Sequence, residues 1–239
     1  MMGQRRTLNE RRLTKQQVSD LIGSGAELRR DLTAALECTY ANGYKNEPLV
    51  YELTGDRFLF VFDPKEPGLA GKGDIYSADQ FRRLVRWTER VRDDYANGRG
   101  SSVAHWWYHS RSKHGLVGNI EPLMEELSSR MSLERQALDR SYESLEGVSE
   151  LVKTIGVEVA QQELYDHLVA YVGEVLRART RGRWELETVE NPPWPYVSAD
   201  GHSRLMPINV VWSELSGLDL VNLRRATANE VRRARVKAI

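Results

Sequence analysis

The chain holds one cysteine, Cys38, in 239 residues. That excludes an internal disulfide, and a zinc site would have to draw its ligands from other residue types. No run approaches the ~20 apolar residues that a membrane-spanning helix needs. Met1 to Arg6 carries cations with no apolar stretch behind them, so no secretory signal is expected. Net charge is missing too, with 34 basic residues against 34 acidic ones. A nucleotide-cradling glycine loop is also absent. Gly68 to Gly73 contains Lys72, but no apolar strand feeds it. Asp74-Ile75-Tyr76 stands where a Ser or Thr and a helix would follow.

What is present suits a globular protein. The hydrophobic share is 41% and the charged share 28%, a balance that can close a core. The length fits one large domain or two modest ones. We expect a cytoplasmic protein of bacterial type. The zero net charge hides an uneven layout. Residues 1–20 hold five basic groups against two acidic ones, a net +3. Residues 224–239 hold six against Glu230, a net +5, which leaves −8 for the rest. Basic ends on an acidic body offer contacts to an acidic partner or to nucleic acid, or serve only as solubilising tails.

Hydrophobic periodicity and caps divide the chain. Thr14 with Gln17, and Ser77 with Gln80, are capping boxes that open helices. A further helix is expected over Ala26 to Ala41, stopped at Asn42-Gly43 and enclosing Cys38 as a small buried hydrophobe. Leu49–Leu53 and Arg57–Phe62 read as a hairpin turned at Thr54-Gly55-Asp56. The second of these runs is apolar on both sides, which places it centrally or under a helix. Asp63 to Gly73 reads as a loop, and Gly98 to Ser102 as a flexible joint. Helical signal resumes over Ile120–Met131 and near Leu145–Val152. A long helix is expected over Val157–Thr180, broken by Gly182. Arg183 to Val189 alternates with period two. Trp194–Ala199 and Ser203–Met206 read as a second hairpin around Asp200-Gly201. Thr227 with Glu230 reads as a third capping box, at the start of a basic terminal helix.

From Leu138 to about Leu223 a group of residues carries a resemblance. They are Leu138-Asp139 with Ser141 and Glu143-Ser144-Leu145, then Tyr171 with Gly173-Glu174-Val175, then Gly182-Arg183-Trp184 and a strand pair leading to Pro207. In this order the segment resembles a group of uncharacterised bacterial α+β domains. Val169 departs from the small residue common two before the tyrosine in that group. The resemblance implies a regulatory or immunity-type accessory role and transfers no activity.

Three constellations are chemistry-bearing. His105 and His109 stand four apart, which on a helix sets two imidazoles on one face, as zinc binding requires. His114 could supply a third ligand, but Trp106 occupies the position where a metalloprotease carries Glu. The same segment, with Trp106, Trp107, Arg111 and Lys113, offers stacking surfaces beside cations for nucleic acid. A packed aromatic cluster is the third reading of it. On the long helix, Glu163, His167 and Glu174 share a polar flank, with Glu163 and His167 as an i,i+4 pair. Glu174 beside Gly173 is expected to be an anchoring hydrogen-bond acceptor, together with Trp184. Pro192-Pro193-Trp194-Pro195 reads as a rigid loop or an extended recognition motif.

The combined expectation is an α+β protein. A helix-rich N-terminal lobe with a hairpin covers 1–100. An aromatic and histidine-rich connecting segment and helix cover 101–137. A C-terminal module with a long helix on a small antiparallel sheet covers 138–239. The expected function is a non-catalytic interaction or regulatory protein with a protein partner, no membrane attachment, and no cofactor or metal. Nucleic-acid contact through the basic termini, including Arg232, Arg233, Arg235 and Lys237, is the lesser expectation. The alternative is a metal-dependent or nucleic-acid-acting protein built on the His105–His114 segment.

Overall fold

A computed structural model describes residues 12–39, 45–131, 138–199, 203–218 and 220–237. The fold is α+β, and the chain divides into two compact units, Met1–Asn97 and Gly98–Ile239.

The first unit runs α1 (Lys15–Gly23), β1 (Glu27–Leu28), α2 (Arg30–Leu36), β2 (Cys38–Thr39), β3 (Lys45–Asn46), β4 (Leu49–Leu53), β5 (Arg57–Val61), β6 (Gly73–Ser77) and α3 (Ala78–Ala96). Its main sheet has the order β1-β4-β5-β6, and its pairings are antiparallel. The doubly apolar β5 is central. Leu59 and Val61 pack with Val18 of α1, and Phe58 stacks on Phe81 of α3 with ring centroids 4.6 Å apart. Both expected capping boxes form, at Thr14–Gln17 and Ser77–Gln80.

Two expectations for this unit are corrected. The helix expected over Ala26–Ala41 is only α2. Before it, β1 pairs with β4 and the Arg29 amide donates to the Val50 carbonyl at 2.8 Å. After it, the Arg92 guanidinium donates to the carbonyls of Ala35 and Glu37, which takes up acceptors that a continuing helix would use. The second correction is β6. The sequence reads as loop from Asp63 to Gly73 and gives no strand before the Ser77 cap, yet β6 pairs along all of β5.

The second unit runs α4 (Ser102–His109), a 3₁₀ helix (Lys113–Asn119), α5 (Ile120–Arg130), α6 (Ser144–Ile155), α7 (Val157–Glu163), α8 (Tyr165–Thr180), β7 (Arg183–Glu187), β8 (Trp194–Ala199), β9 (Ser203–Leu205), α9 (Pro207–Leu215) and α10 (Leu223–Lys237). Its antiparallel sheet has the order β7-β8-β9. α8 is the axis of this unit. Every residue from Tyr165 to Leu176 is buried, and the helix packs on α5, α9 and β8. Burying each of its large apolar side chains is worth ~1.5–3 kcal/mol, so this helix dominates the core.

The single long helix expected over Val157–Thr180 is in fact two. Leu164, at φ −116° and ψ 3°, separates α7 from α8. The stop is made by Arg181 in a left-handed conformation, φ 52°, with the Gly182 amide donating to the Arg177 carbonyl at 3.0 Å. Gly182 is still required, because a Cβ there would sit 2.6 Å from the Ser198 carbonyl oxygen. The capping box expected at Thr227 does not start a helix. α10 begins four residues earlier, where the Asn222 side chain accepts from the Arg225 amide at 2.9 Å, and Thr227 is fully buried. Among the described residues no helix is long and apolar enough to cross a membrane.

Candidate functional site

α4 positions the histidine segment. Ser101 caps it by accepting from the Ala104 amide at 3.2 Å. One turn of helix then brings the His105 and His109 rings to 4.3 Å. His105 has no exposed surface. Its Nδ1 lies 3.2 Å from the Tyr165 hydroxyl and its Nε2 3.3 Å from the Gln161 amide nitrogen. With that amide donating, Nε2 accepts and Nδ1 carries the proton. His109 stacks on Tyr165 at 5.5 Å.

Ring contacts set the other members apart. Trp106 is wholly buried and its indole nitrogen has no hydrogen-bond partner. Trp107 carries Lys113 Nζ 4.6 Å above its ring and the exposed His114 at its edge, 5.2 Å away. Arg111 points outward and donates from its guanidinium to the Gln162 carbonyl at 2.9 Å. Among the described residues no group of three or more His, Cys, Asp or Glu side chains gathers as a metal ion would need.

Asp166 carries no sequence signal that marks it, yet it ties this segment to α8. Its Oδ2 accepts from the Arg111 amide at 2.9 Å and the Ser112 amide at 2.7 Å, while its buried Oδ1 has no partner. Beside it, His167 is buried. Its Nε2 lies 3.1 Å from Glu126 Oε2, at ion-pair distance but outside hydrogen-bond geometry, and its Nδ1 has no partner. The expected Glu163–His167 pair does not form, because Glu163 accepts from Arg130 at 3.1 Å instead. His167 turns toward Glu126 of α5.

At the far end of α8, Glu174 has only 3% of its side chain exposed and is surrounded by donors. Arg140 Nε reaches it at 2.7 Å, Arg177 at 2.7 and 2.9 Å, and the Trp184 indole nitrogen at 3.0 Å. Burial pushes the carboxyl up. Hydrogen bonds from Arg177, Trp184 and Arg140 outweigh it and hold the group below its ordinary value. Gly173 makes room for the arrangement, since a Cβ there would lie 2.0 Å from the Trp184 ring. Arg140 also reaches Glu121 at 3.0 Å from a left-handed backbone, φ 63°. Nearby, the Ser144 and Tyr171 hydroxyls bond each other, and the Ser141 side chain accepts from the Ser144 amide at 3.1 Å. Of the side chains around this carboxylate, Trp184 donates to it and packs over Gly173, while Ser141, Ser144 and Tyr171 bond one another.

The basic terminal helix is in part neutralised. Arg233 donates twice to the buried Glu230, and Arg224 pairs with Glu146 and Glu143. Arg232 is exposed and contacts Asn229 at 3.4 Å. The side chains of Cys38, Arg235 and Lys237, and residues 1–11 with their cations, lie outside the described residues. Comparison with family models, with curated proteins and with solved structures finds no match.

Proposed function

We propose that this chain is a non-catalytic bacterial protein that acts by binding another protein, in a regulatory or immunity-type accessory role in the cytoplasm. One observation carries the reading: His105, the residue best placed for chemistry by spacing, has no exposed surface and both ring nitrogens engaged, by Tyr165 and Gln161. A general base must reach a substrate proton, and a ligand must offer a lone pair, so a ring in that state serves packing. Glu174, Glu214 and Glu230 support the same reading, since each accepts from the fold's own backbone or side chains.

Affinity capture of the folded full chain from its native host, after cross-linking in the cell, should recover a specific protein partner. Recovery of none would overturn the proposal. A second reading is favoured by Lys113 over Trp107 beside exposed His114, a surface suited to stacking a nucleobase. It predicts salt-dependent binding of single-stranded oligonucleotides that Trp107→Ala abolishes, which the first reading does not.

A further inference from the structure

We propose that β7 is a docking edge for a second copy of this chain, pairing antiparallel about a two-fold axis at Trp184. The proposal goes beyond the reading above and does not rest on it. β7 ends its sheet: it pairs with β8, and among the described residues no other backbone group bonds to it. Pro195 of β8 stands opposite Leu186. Proline has no N–H to exchange, so that pair is the kind without ladder bonds. It follows that Trp184 and Leu186 turn their N–H and C=O groups to the open edge. A row of unpaired donors and acceptors is a template for another strand.

The charge order of the strand selects the occupant. Arg183 and Glu185 flank Trp184 on one face, and their side chains are 81% and 29% exposed. A two-fold axis at Trp184 sets Arg183 opposite Glu185 of the second copy, and Glu185 opposite its Arg183. Both cross-strand pairs then have opposite charge. Register must shift by two residues to keep the same backbone groups facing. Moving the axis to Glu185 would set that carboxylate against its own copy, so charge fixes the register. Within one chain, Arg183 Nε already lies 2.7 Å from Glu185 Oε1, so the two side chains share a face before pairing. Trp184 keeps its place over Gly173 and its bond to Glu174. Pairing would join two three-stranded sheets into one of six strands without repacking the core.

The interface is one short strand per copy, well below the ~1,600 Å² of a standard stable complex, so association should be weak and concentration-dependent. Sedimentation velocity on the full chain, from low micromolar to several hundred micromolar, should show a reversible dimer that weakens with salt. Arg183→Glu and Glu185→Arg should each raise the dissociation constant by roughly tenfold or more, because each sets two like-charged pairs across the edge. An equimolar mixture of the two variants should dimerise again. One copy then presents acid at both positions 183 and 185, and the other presents base at both, so each cross-strand pair regains opposite charge. In the unmutated chain, amide exchange at Trp184 and Leu186 should slow as concentration rises, a readout that needs no variant to fold. A chain that stays monomeric throughout would overturn the proposal. So would a dimer that ignores both variants, or exchange at those two amides that is independent of concentration.

Discussion

The two ends of α8 bury ionisable side chains in opposite ways. At its C-terminal end Glu174 accepts four hydrogen bonds, from Arg140, Arg177 and Trp184. At its N-terminal end Asp166 and His167 are also enclosed, yet Asp166 Oδ1 and His167 Nδ1 have no partner. A buried charge is tolerable when donors saturate it, and costs several kcal/mol when they do not. The contrast indicates that the Glu174 end holds the sheet to the helix. The Asp166 end is held by apolar packing, with one carboxylate oxygen tying down the loop after α4.

That contrast can be broken by substitution. The largest effect is expected for Gly173→Ala, whose methyl would overlap the Trp184 ring. Overpacking typically costs about 1–3 kcal/mol, and a 2.0 Å approach to the ring places this variant at the upper end of that range. Adding Trp184→Ala should recover part of the loss, because the two residues are in direct contact. Urea unfolding of the single and double variants measures this.

Next comes Glu174→Gln, expected to cost about 2 kcal/mol at neutral pH, since an amide leaves some of the arginine and indole donors unmet. Its pH dependence has a definite sign. The folded carboxyl titrates below its ordinary value of 4.5. The stability it contributes is therefore present above pH 4.5 and is lost as pH falls through the folded value. The gap between the original protein and Glu174→Gln should narrow over that acidic range.

Asp166→Asn should cost less, about 1 kcal/mol, because one amide oxygen still accepts from the Arg111 and Ser112 amides. A larger loss than for Glu174→Gln would break the contrast. Trp106→Phe should be smallest, within about 1 kcal/mol, because removing an indole N–H with no partner offsets the lost volume.

Local chemistry was legible in the sequence. The Thr14 and Ser77 capping boxes form within three residues, whereas the same pattern at Thr227 lies inside α10, with Glu230 accepting from the Met206 amide and Arg233 instead. The doubly apolar β5 also announced its central place. What depends on distant partners was not legible. β6 is a strand because β5 pairs with it, and the helix at α2 is cut short by Arg92, more than fifty residues on. The His105 spacing reads identically for a ligand pair and for a packed turn. Only Tyr165 and Gln161, on α8 and α7, separate those readings. Likewise, Glu174 stood out beside its glycine, but Arg140 is thirty-four residues upstream and carries no local sign of pairing with it.

The central claim is that His105, buried in the Gly98–Ile239 unit with both ring nitrogens engaged, serves its fold. His105→Ala tests this most directly, by urea unfolding at neutral pH. A ring with no exposed surface and both nitrogens engaged should cost about 2–4 kcal/mol when removed. An unfolding midpoint unchanged from the original protein would contradict the account, because a histidine that contributes nothing to stability would have to be held there for another purpose.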